Sequence, residues 1–428
     1  MKQLNCSIIG LGEDGYILVQ KETAYKSATT NSMTAMPVME GQISYEIKRI
    51  EQKNIINSRI RQKDNLGRSA VGPSDLTMPM NPALMGMWMN LFFGVETAVT
   101  GDGSSTAYEH VFLMPVTGTN AGVSWTVKQA IGSALADQFQ GIKMTKFVVK
   151  SDNEKNIMFV GTFVGVLRDA TGVARAATVT ITAKRNFVFS QAGVQFTPGK
   201  AETFTVTIAA PGLVTQANHG LITGQLVQLT TAGSLPTGLT AATDYYVIRN
   251  DQDSFWLATS LANALAGTKI TTSGSQNGAH TLSPQTYTQK VDSFEATFDL
   301  GYKDDGATYK VGSIGADTLV FDKIPSVKFK CEIDGDKQFS DLAVVNCDFK
   351  IILTLTSDEM AVTTNPYMWV AEIPKMNLAS ATKLENKPGL NKMSLEFDAL
   401  GGTTTGSGST SVPAEIRVTD ATATYTSY

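Results

Sequence analysis

Short segments in which apolar and polar residues alternate recur through most of this chain. Residues 42–50 place Ile43 and Ile47 on one side of a strand, and the same period of two returns in residues 143–150 and 293–300. Strands that recur at short intervals between turn-forming residues are typical of a β-sandwich or a barrel. The pattern therefore predicts a mainly β fold.

One segment has the period of a helix. Asn81 suits the N-cap, Pro82 the first helical position and Gly94 the C-terminal end. Apolar residues between them recur at spacings of three and four, and a helix this short needs a partner for its apolar face. We therefore expect a short flanking helix that packs on the sheet. The side chains expected in that contact are Leu84, Trp88, Leu91 and Phe92.

Changes in composition and in the pattern of apolar residues divide the chain into segments. Residues 1–35 mix Gly, Thr, Ser and Asn with short apolar pieces, which is typical of an extended N-terminal arm. Residues 51–74 are polar and aperiodic, so we expect a long loop that reaches a neighbouring subunit. Residues 201–286 carry few charges and lie between Pro198 and Pro284, with strand-like pieces at both ends. This interval is predicted to be an inserted small all-β domain.

The composition favours a protein that contacts copies of itself. Only 17% of the 428 residues are charged, against about 25% in an average protein. The net charge is −4, yet residues 41–68 carry seven cations and three carboxylates, a local charge of +4 that leaves −8 elsewhere. This basic segment is either a solvated loop or a contact with acidic residues of a neighbour. The contact candidates are Arg59, Arg61, Lys63 and Arg68.

No motif that carries chemistry survives inspection, so we expect neither an enzyme nor a cofactor. Three cysteines and three scattered histidines form no disulfide framework and no metal pair. Residues 10–15 match GxGxxG, but no helix pattern follows, which favours a turn over a nucleotide site. The longest apolar run, residues 84–93, is too short to span a membrane, and the N-terminus lacks a signal-peptide pattern. Synthesis in a cytoplasm without membrane insertion is expected.

Several segments resemble the tail tube family of long-tailed bacteriophages. They are GYILVQKE at residues 15–22, NPALMGMWMNLFFG at 81–94, FQGIK at 139–143, EIPK at 372–375 and LEFDA at 395–399. The resemblance extends over two parts of the chain, residues 1–200 and residues 287–428. Within the interval between them, residues 218–224, 244–249, 255–258 and 260–265 are similar to a small β-domain inserted in various phage structural proteins.

The resemblance implies a two-sheet tube domain with one flanking helix, six copies of which form a ring. Rings stack into a tube, with the arm and the long loop reaching between rings. The expected partners are further copies of the chain and other tail proteins such as the tape measure and the terminator, all in the virion. A trimeric ring of two fused tube-like halves is the alternative, because the chain is long even without the insert. No internal repeat is visible in the sequence.

A tube that conducts phage DNA should not bind it, so its bore should be neutral or acidic and poor in aromatic residues. The candidate inner strands are the hairpin at residues 143–166 and the strand at residues 293–300. Carboxylates should outnumber lysines such as Lys143 and Lys150 there. The lumen-facing candidates are Asp152, Glu154, Glu295 and Asp299.

Two rival functions remain open at this point. The first is another virion part, such as a neck, baseplate or head-decoration protein with the same insert. The second is a glycan-binding adhesin, to which Trp256, Tyr245 and Tyr246 could contribute an aromatic cleft.

Overall fold

A computed structural model gives a mainly β protein, with 58% of residues in strands and 7% in helices, which confirms the predicted fold class. It describes residues 15–25, 27, 33–54, 62–94, 96–101, 107–115, 124–131, 135–152, 155–165, 167–169, 179, 184–199, 201–302, 323–334, 339, 341–342, 347–362, 365–381, 392–404, 411–423 and 425.

The elements fall into three successive groups along the chain. The first contains β1 (Tyr16–Lys21), β2 (Thr34–Met36), β3 (Tyr45–Asn54), β4 (Gln62–Pro79), α1 (Met85–Phe93), β5 (Ala98–Gly101), β6 (Tyr108–Leu113), β7 (Trp125–Ile131), β8 (Leu135–Asp152), β9 (Met158–Gly165), β10 (Leu167–Asp169) and β11 (Ala192–Pro198). The second contains β12 (Glu202–Val206), β13 (Val214–Thr215), β14 (Leu226–Thr231), β15 (Asp244–Arg249), β16 (Ser254–Ala258), α2 (Leu261–Leu265) and β17 (His280–Pro284). The third contains β18 (Tyr287–Gln289), β19 (Val291–Asp299), β20 (Ser326–Asp334), β21 (Asp348–Val362), β22 (Asn365–Ala381), β23 (Lys392–Ala399) and β24 (Glu415–Asp420).

Eight antiparallel strands form what we call the main sheet. Its order is β3-β4-β9-β8-β19-β20-β23-β22. Alternate residues of β8, β9, β19, β20 and β23 point into one core, among them Phe147, Phe298, Phe329 and Phe397, all fully buried. The period of two that the sequence displays is the consequence of this one-sided burial.

A covering layer closes the core from the other side. It contains β1, β2 and β7 over the first half of the chain, and β11, β18 and β21 over the second. The ring of Phe196 on β11 lies 6.1 Å from that of Phe329 and 5.8 Å from that of Phe397 on the main sheet. The long strands β8 and β22 belong to both layers, because their first halves pair in the covering layer and their second halves in the main sheet.

Helix α1 lies inside this sandwich. Trp88 stacks on Phe159 with ring centroids 4.6 Å apart, and Phe92 meets Phe147 edge-on at 4.7 Å. Leu84 and Leu91 are also buried. On its far side Phe93 stacks on Phe112 of β6 at 5.6 Å, so all nine helical residues are buried. The expectation of a helix with one apolar face is therefore incomplete, because other segments of the protein bury this helix on every side.

The helix also begins later than the sequence predicts. Asn81 caps a turn ahead of the helix, where its Oδ1 accepts a hydrogen bond from the Ala83 N–H at 3.0 Å. The helical span itself starts at Met85 rather than at Pro82. At the other end Gly94 has φ +82° and its N–H donates to the Asn90 carbonyl, as expected for a helix closed by glycine.

The expectation of a long loop at residues 51–74 is wrong. β3 and β4 pair continuously from Tyr45–Val71 to Asn54–Gln62, and we call their residues 46–54 and 62–70 the basic ribbon; residues 55–61 lie outside the described residues. Period-two alternation arises only where one face of a strand is buried. Beyond residue 50 the ribbon has a polar sequence on both faces, so it lacks that signal there.

The N-terminal arm is also shorter than expected. β1 pairs with β2 and β7, and its residues Ile17, Leu18 and Val19 are buried. Part of the interval assigned to the arm is therefore a core strand. Residues 1–14 lie outside the described residues.

The two halves of the body repeat one topology, which the sequence had not revealed. In the N-terminal unit (residues 16–169), β1 pairs with β2 and β7, while β4 pairs with β9 and β9 with β8. In the C-terminal unit (residues 192–420), β11 pairs with β18 and β21, while β20 pairs with β23 and β23 with β22. β10 and β24 also match, because each pairs with the first half of the long strand of its own unit.

The irregularities in the strand pairing match as well. The β8–β9 pairing shifts register between Met144 and Lys146, and the β22–β23 pairing shifts between Leu378 and Ser380. When the two units are aligned at these shifts, Phe163 occupies the position equivalent to Phe397, and both residues are buried. The strand pairing on either side of this position makes three further pairs of buried residues equivalent. They are Met78 with Ile333, Ile43 with Ala296, and Ile142 with Met376. The units share their pattern of burial and little of their sequence.

Residues 202–284 form a closed six-strand barrel, in the order β12-β13-β16-β15-β14-β17, with its own core around Val227, Val247 and Phe255. We call it the inserted barrel. It occupies the connection between β11 and β18, which corresponds to the short connection between β1 and β2 in the N-terminal unit. At its base the Gln225 Nε2 donates to the Pro198 carbonyl at 2.9 Å.

Candidate functional site: a polar sheet face between two open edges

The face of the main sheet that points away from the core is polar and charged. This polar face results from the alternation of side chains along each strand. Phe294, Ala296 and Phe298 of β19 point inward, so the residues between them point outward. The described strands place eight carboxylates and five lysines there, a net charge of −3. They are Asp75, Asp152, Glu295, Asp299, Glu332, Asp334, Glu396 and Asp398, with Lys146, Lys150, Lys328, Lys330 and Lys392.

The charges on this polar face alternate across the strands. The pairing register puts Glu295 beside Lys150 on one side and beside Lys330 on the other. The Nζ of Lys330 lies 3.3 Å from a carboxylate oxygen of Glu396, and two residues away on β20 the Nζ of Lys328 lies 3.4 Å from Asp398. These exposed pairs stabilise the sheet by about 0–1 kcal/mol each. Their main consequence is a hydrated face on which, among the side chains that the structure describes, carboxylates outnumber lysines.

Three of the four lumen candidates from the sequence, Asp152, Glu295 and Asp299, lie on this face. Glu154 lies outside the described residues. Lys150 is on the face, whereas Lys143 lies against the Tyr25 ring, with its Nζ 5.5 Å from the centroid. Burial lowers the pKa of the Lys143 ammonium.

The basic ribbon holds two of the four predicted contact residues. Arg59 and Arg61 lie outside the described residues, while Lys63 and Arg68 are in β4. The pairing register sets Lys63 opposite Lys53 and Arg68 opposite Lys48.

An internal joint connects the two units. β8 of the N-terminal unit pairs with β19 of the C-terminal unit over seven opposed positions, from Asp152–Ser293 to Lys146–Asp299. Beneath them Phe147 stacks on Phe298 with ring centroids 4.6 Å apart. The joint makes the two units one continuous sheet.

The main sheet ends in an open edge on each side, meaning a side along which no strand of the described residues pairs. At one end, β22 pairs with β23 from Leu378 to Ala381, while its pairing with β21 on the opposite side stops at Asn377. At the other end, β3 pairs with β4 alone. Unpaired strand edges readily recruit another strand.

A glutamine side chain occupies part of the second edge. The Oε1 of Gln129 accepts a hydrogen bond from the Ile43 N–H at 2.7 Å, and its Nε2 donates to the Ile43 carbonyl at 3.3 Å. Gln129 is 3% exposed, and its carboxamide makes the same pair of bonds that a neighbouring strand would make. Sequence reasoning missed this residue, because the contact joins positions 86 apart.

The aromatic residues considered for a glycan cleft are engaged elsewhere. The Nζ of Lys269 lies 3.1 Å from the ring centroid of Trp256. Tyr245 is buried and its hydroxyl accepts a hydrogen bond from the Thr240 N–H at 2.8 Å. Tyr246 packs against the small apolar cluster of Ile248 and Ala258.

The described residues were searched for membrane-spanning helices and for clusters of metal-binding side chains. None of their helices has the length and apolarity to cross a membrane. They also contain no group of three or more His, Cys, Asp or Glu arranged to hold a metal ion. Comparison of the sequence with models of known protein families and with curated proteins found no match in either.

Proposed function

We propose that this chain is the repeating structural subunit of a hollow tube that conducts DNA, as in the tail of a long-tailed bacteriophage. The observation that carries the proposal is the main sheet itself. It has a buried face, a polar face with net negative charge, and an open edge at each end. Such a sheet can close into a ring with copies of itself, which removes both edges.

The polar face suits the wall of a DNA channel. Affinity for DNA comes mainly from cations that neutralise phosphates, and stacking on aromatic side chains adds to it for exposed bases. The outward positions of β8, β9, β19, β20 and β23 carry no aromatic residue. Their lysines are outnumbered by carboxylates and lie beside them. A duplex would therefore slide past this wall without being held.

The basic ribbon supplies a means of stacking. It extends β3 and β4 beyond the positions where β4 pairs with β9, so it projects from the end of the main sheet. Its local charge is positive, whereas the rest of the chain carries −8. In the proposed tube the ribbon contacts acidic residues of the adjacent ring, with Arg59, Arg61, Lys63 and Arg68 as the contact residues. The tape measure and terminator proteins remain the expected tail partners, and the virion the expected location.

The inserted barrel connects β11 and β18, two strands of the covering layer, which lies across the core from the polar face. The Gly199 N–H at its entry donates to the Asp348 carbonyl of β21 at 2.8 Å. With the polar face toward the bore, the barrel lies on the outer wall of the tube.

Electron microscopy of the purified, concentrated protein tests the proposal. We expect hollow tubes or rings, formed spontaneously or after seeding, and no retention of DNA by them at moderate salt. A chain that stays monomeric at high concentration, and forms no tubes on ageing or seeding, would contradict it. A neck or head-decoration protein would instead form isolated rings or bind only to preformed capsids.

A further inference from the structure

A lysine of β1 occupies a position that faces the core beside helix α1. Ile17 and Val19 of this strand point into the core of the sandwich, and strand alternation puts the half-buried Lys21 next in the same row. Its neighbour across the strands, Trp125 of β7, is fully buried. Burial of an ammonium group is costly unless the group is paired, so a lysine in this row needs a partner.

The partner is a carboxamide on the buried helix. The Nζ of Lys21 donates a hydrogen bond to the Oδ1 of Asn90 at 3.3 Å, across 69 positions of sequence. Asn90 is 3% exposed. Glu96 follows the end of the helix, and its carboxylate is close enough for its charge to act on the Lys21 ammonium. An amine, a carboxamide and a carboxylate therefore lie together where β1 passes α1.

We propose that Lys21 and Asn90 join in an isopeptide bond within the chain, with Glu96 as the proton carrier. The Nζ of Lys21 attacks Cγ of Asn90, the carbon that bears the hydrogen-bonded oxygen. The Nζ–Cγ bond forms and the Cγ–Nδ2 bond breaks. Nζ gives up two protons in all, and Nδ2 receives two and leaves as ammonium. The atoms balance without an oxidant or a further reactant.

The surroundings of the three groups favour this reaction. Only a neutral amine is a nucleophile, and burial lowers the pKa of Lys21 by more than the charge of Glu96 raises it. His110 holds Glu96 in place, with its Nδ1 3.0 Å from the Glu96 Oε2. Well-oriented groups within one molecule react with effective concentrations of about 10⁵–10⁸ M. The product is uncharged, which removes the cost of an ammonium group at this position.

Mass spectrometry of the folded protein tests the proposal. We expect the wild-type chain to weigh one ammonia less than its sequence requires. Trypsin should leave residues 3–26 joined to residues 69–128, because cleavage after the acylated Lys21 is blocked. The matched variant Lys21→Arg keeps a cation and a hydrogen-bond donor but stays protonated, so it should have its full mass. Glu96→Gln should be isolated with only part of its chains linked, and complete linkage in that variant would overturn the role of Glu96.

Ammonia loss from another asparagine has to be separated from the proposed bond. Asn277 precedes Gly278, and an asparagine followed by glycine can lose ammonia to the neighbouring backbone nitrogen. Peptide mapping locates such a loss. A folded wild-type chain that keeps its full mass after prolonged incubation, or loses ammonia at Asn277 alone, overturns the inference. The bond lies within one chain, so this result is independent of whether the protein forms tubes.

Discussion

The substitution Gln129→Leu should make assembly easier while it weakens the isolated chain. Gln129 holds the Ile43 N–H and carbonyl through hydrogen bonds of 2.7 and 3.3 Å, and both residues are 3% exposed. Leucine is close in size, and Leu353 occupies the equivalent, fully buried position in the C-terminal unit. The substitution thus removes the two bonds with little change in packing.

The size of the effect follows from the groups left unpaired. A buried backbone group without a partner costs about 1–3 kcal/mol. In the ring the strand of the next copy would bond the same groups, so the cost falls on the isolated chain alone. A difference of about 2 kcal/mol per joint corresponds to a critical concentration lower by about 30-fold.

Sedimentation of assembled material across a concentration series measures this threshold, and hydrogen exchange of the peptide around Ile43 reports the loosened edge. The matched control is Gln225→Leu in the inserted barrel. The Gln225 carboxamide also bonds a backbone carbonyl, of Pro198, and a backbone N–H, of Ile222. It should destabilise the chain to a similar degree and leave the threshold unchanged. Equal thresholds for Gln129→Leu and the wild type would mean that the Gln129 carboxamide does not compete with a strand of the next copy for Ile43.

Three further predictions follow from other parts of the molecule. Deletion of the inserted barrel, with a short linker from Lys200 to Thr286, should leave assembly intact, since the equivalent β1–β2 connection carries no such domain; a soluble, folded deletion that no longer assembles would place the barrel in the ring contact. Burial lowers the pKa of His110, but hydrogen bonds to Asp420 and Glu96 outweigh it and raise the net pKa above 6.5. The stability from this charged histidine is fully present below pH 6.5 and is lost as pH rises through the raised pKa, so Tm should fall over that range in the wild type and less in His110→Gln. Conversion of three polar-face carboxylates to lysine should give tubes that retain DNA in a salt-dependent way, measured by co-sedimentation, whereas conversion to asparagine or glutamine should not; unchanged DNA retention in the lysine variant would mean that this face does not line the bore. The carboxylates are Asp152, Glu295 and Asp299.

The sequence predicts those parts of the fold in which burial is one-sided. Strands such as β19 display their period of two because Phe294, Ala296 and Phe298 face the core and their neighbours face water. Glu295 and Asp299 were assigned to the polar side of this strand for the same reason. The basic ribbon was missed because a hairpin that is polar on both faces leaves no periodic signal.

The repeat of the two units was hidden for a different reason. Core positions are satisfied by any apolar side chain of suitable volume, so Met78 can correspond to Ile333 and Ile43 to Ala296 without any shared sequence. The Gln129 contact was beyond reach because a buried amide gives no sign of which distant backbone it bonds. Asn81 shows a subtler limit, since a good N-cap residue stabilises a turn ahead of the helix rather than the helix itself.

A cryo-electron microscopy reconstruction of the assembled protein would show which face of the main sheet lines the bore. We expect a hollow tube of stacked rings, in which the open edges of neighbouring main sheets pair and the polar face lines the bore. A bore lined by arginine and aromatic side chains, or an assembly in which the polar face lies on the outside, would contradict it.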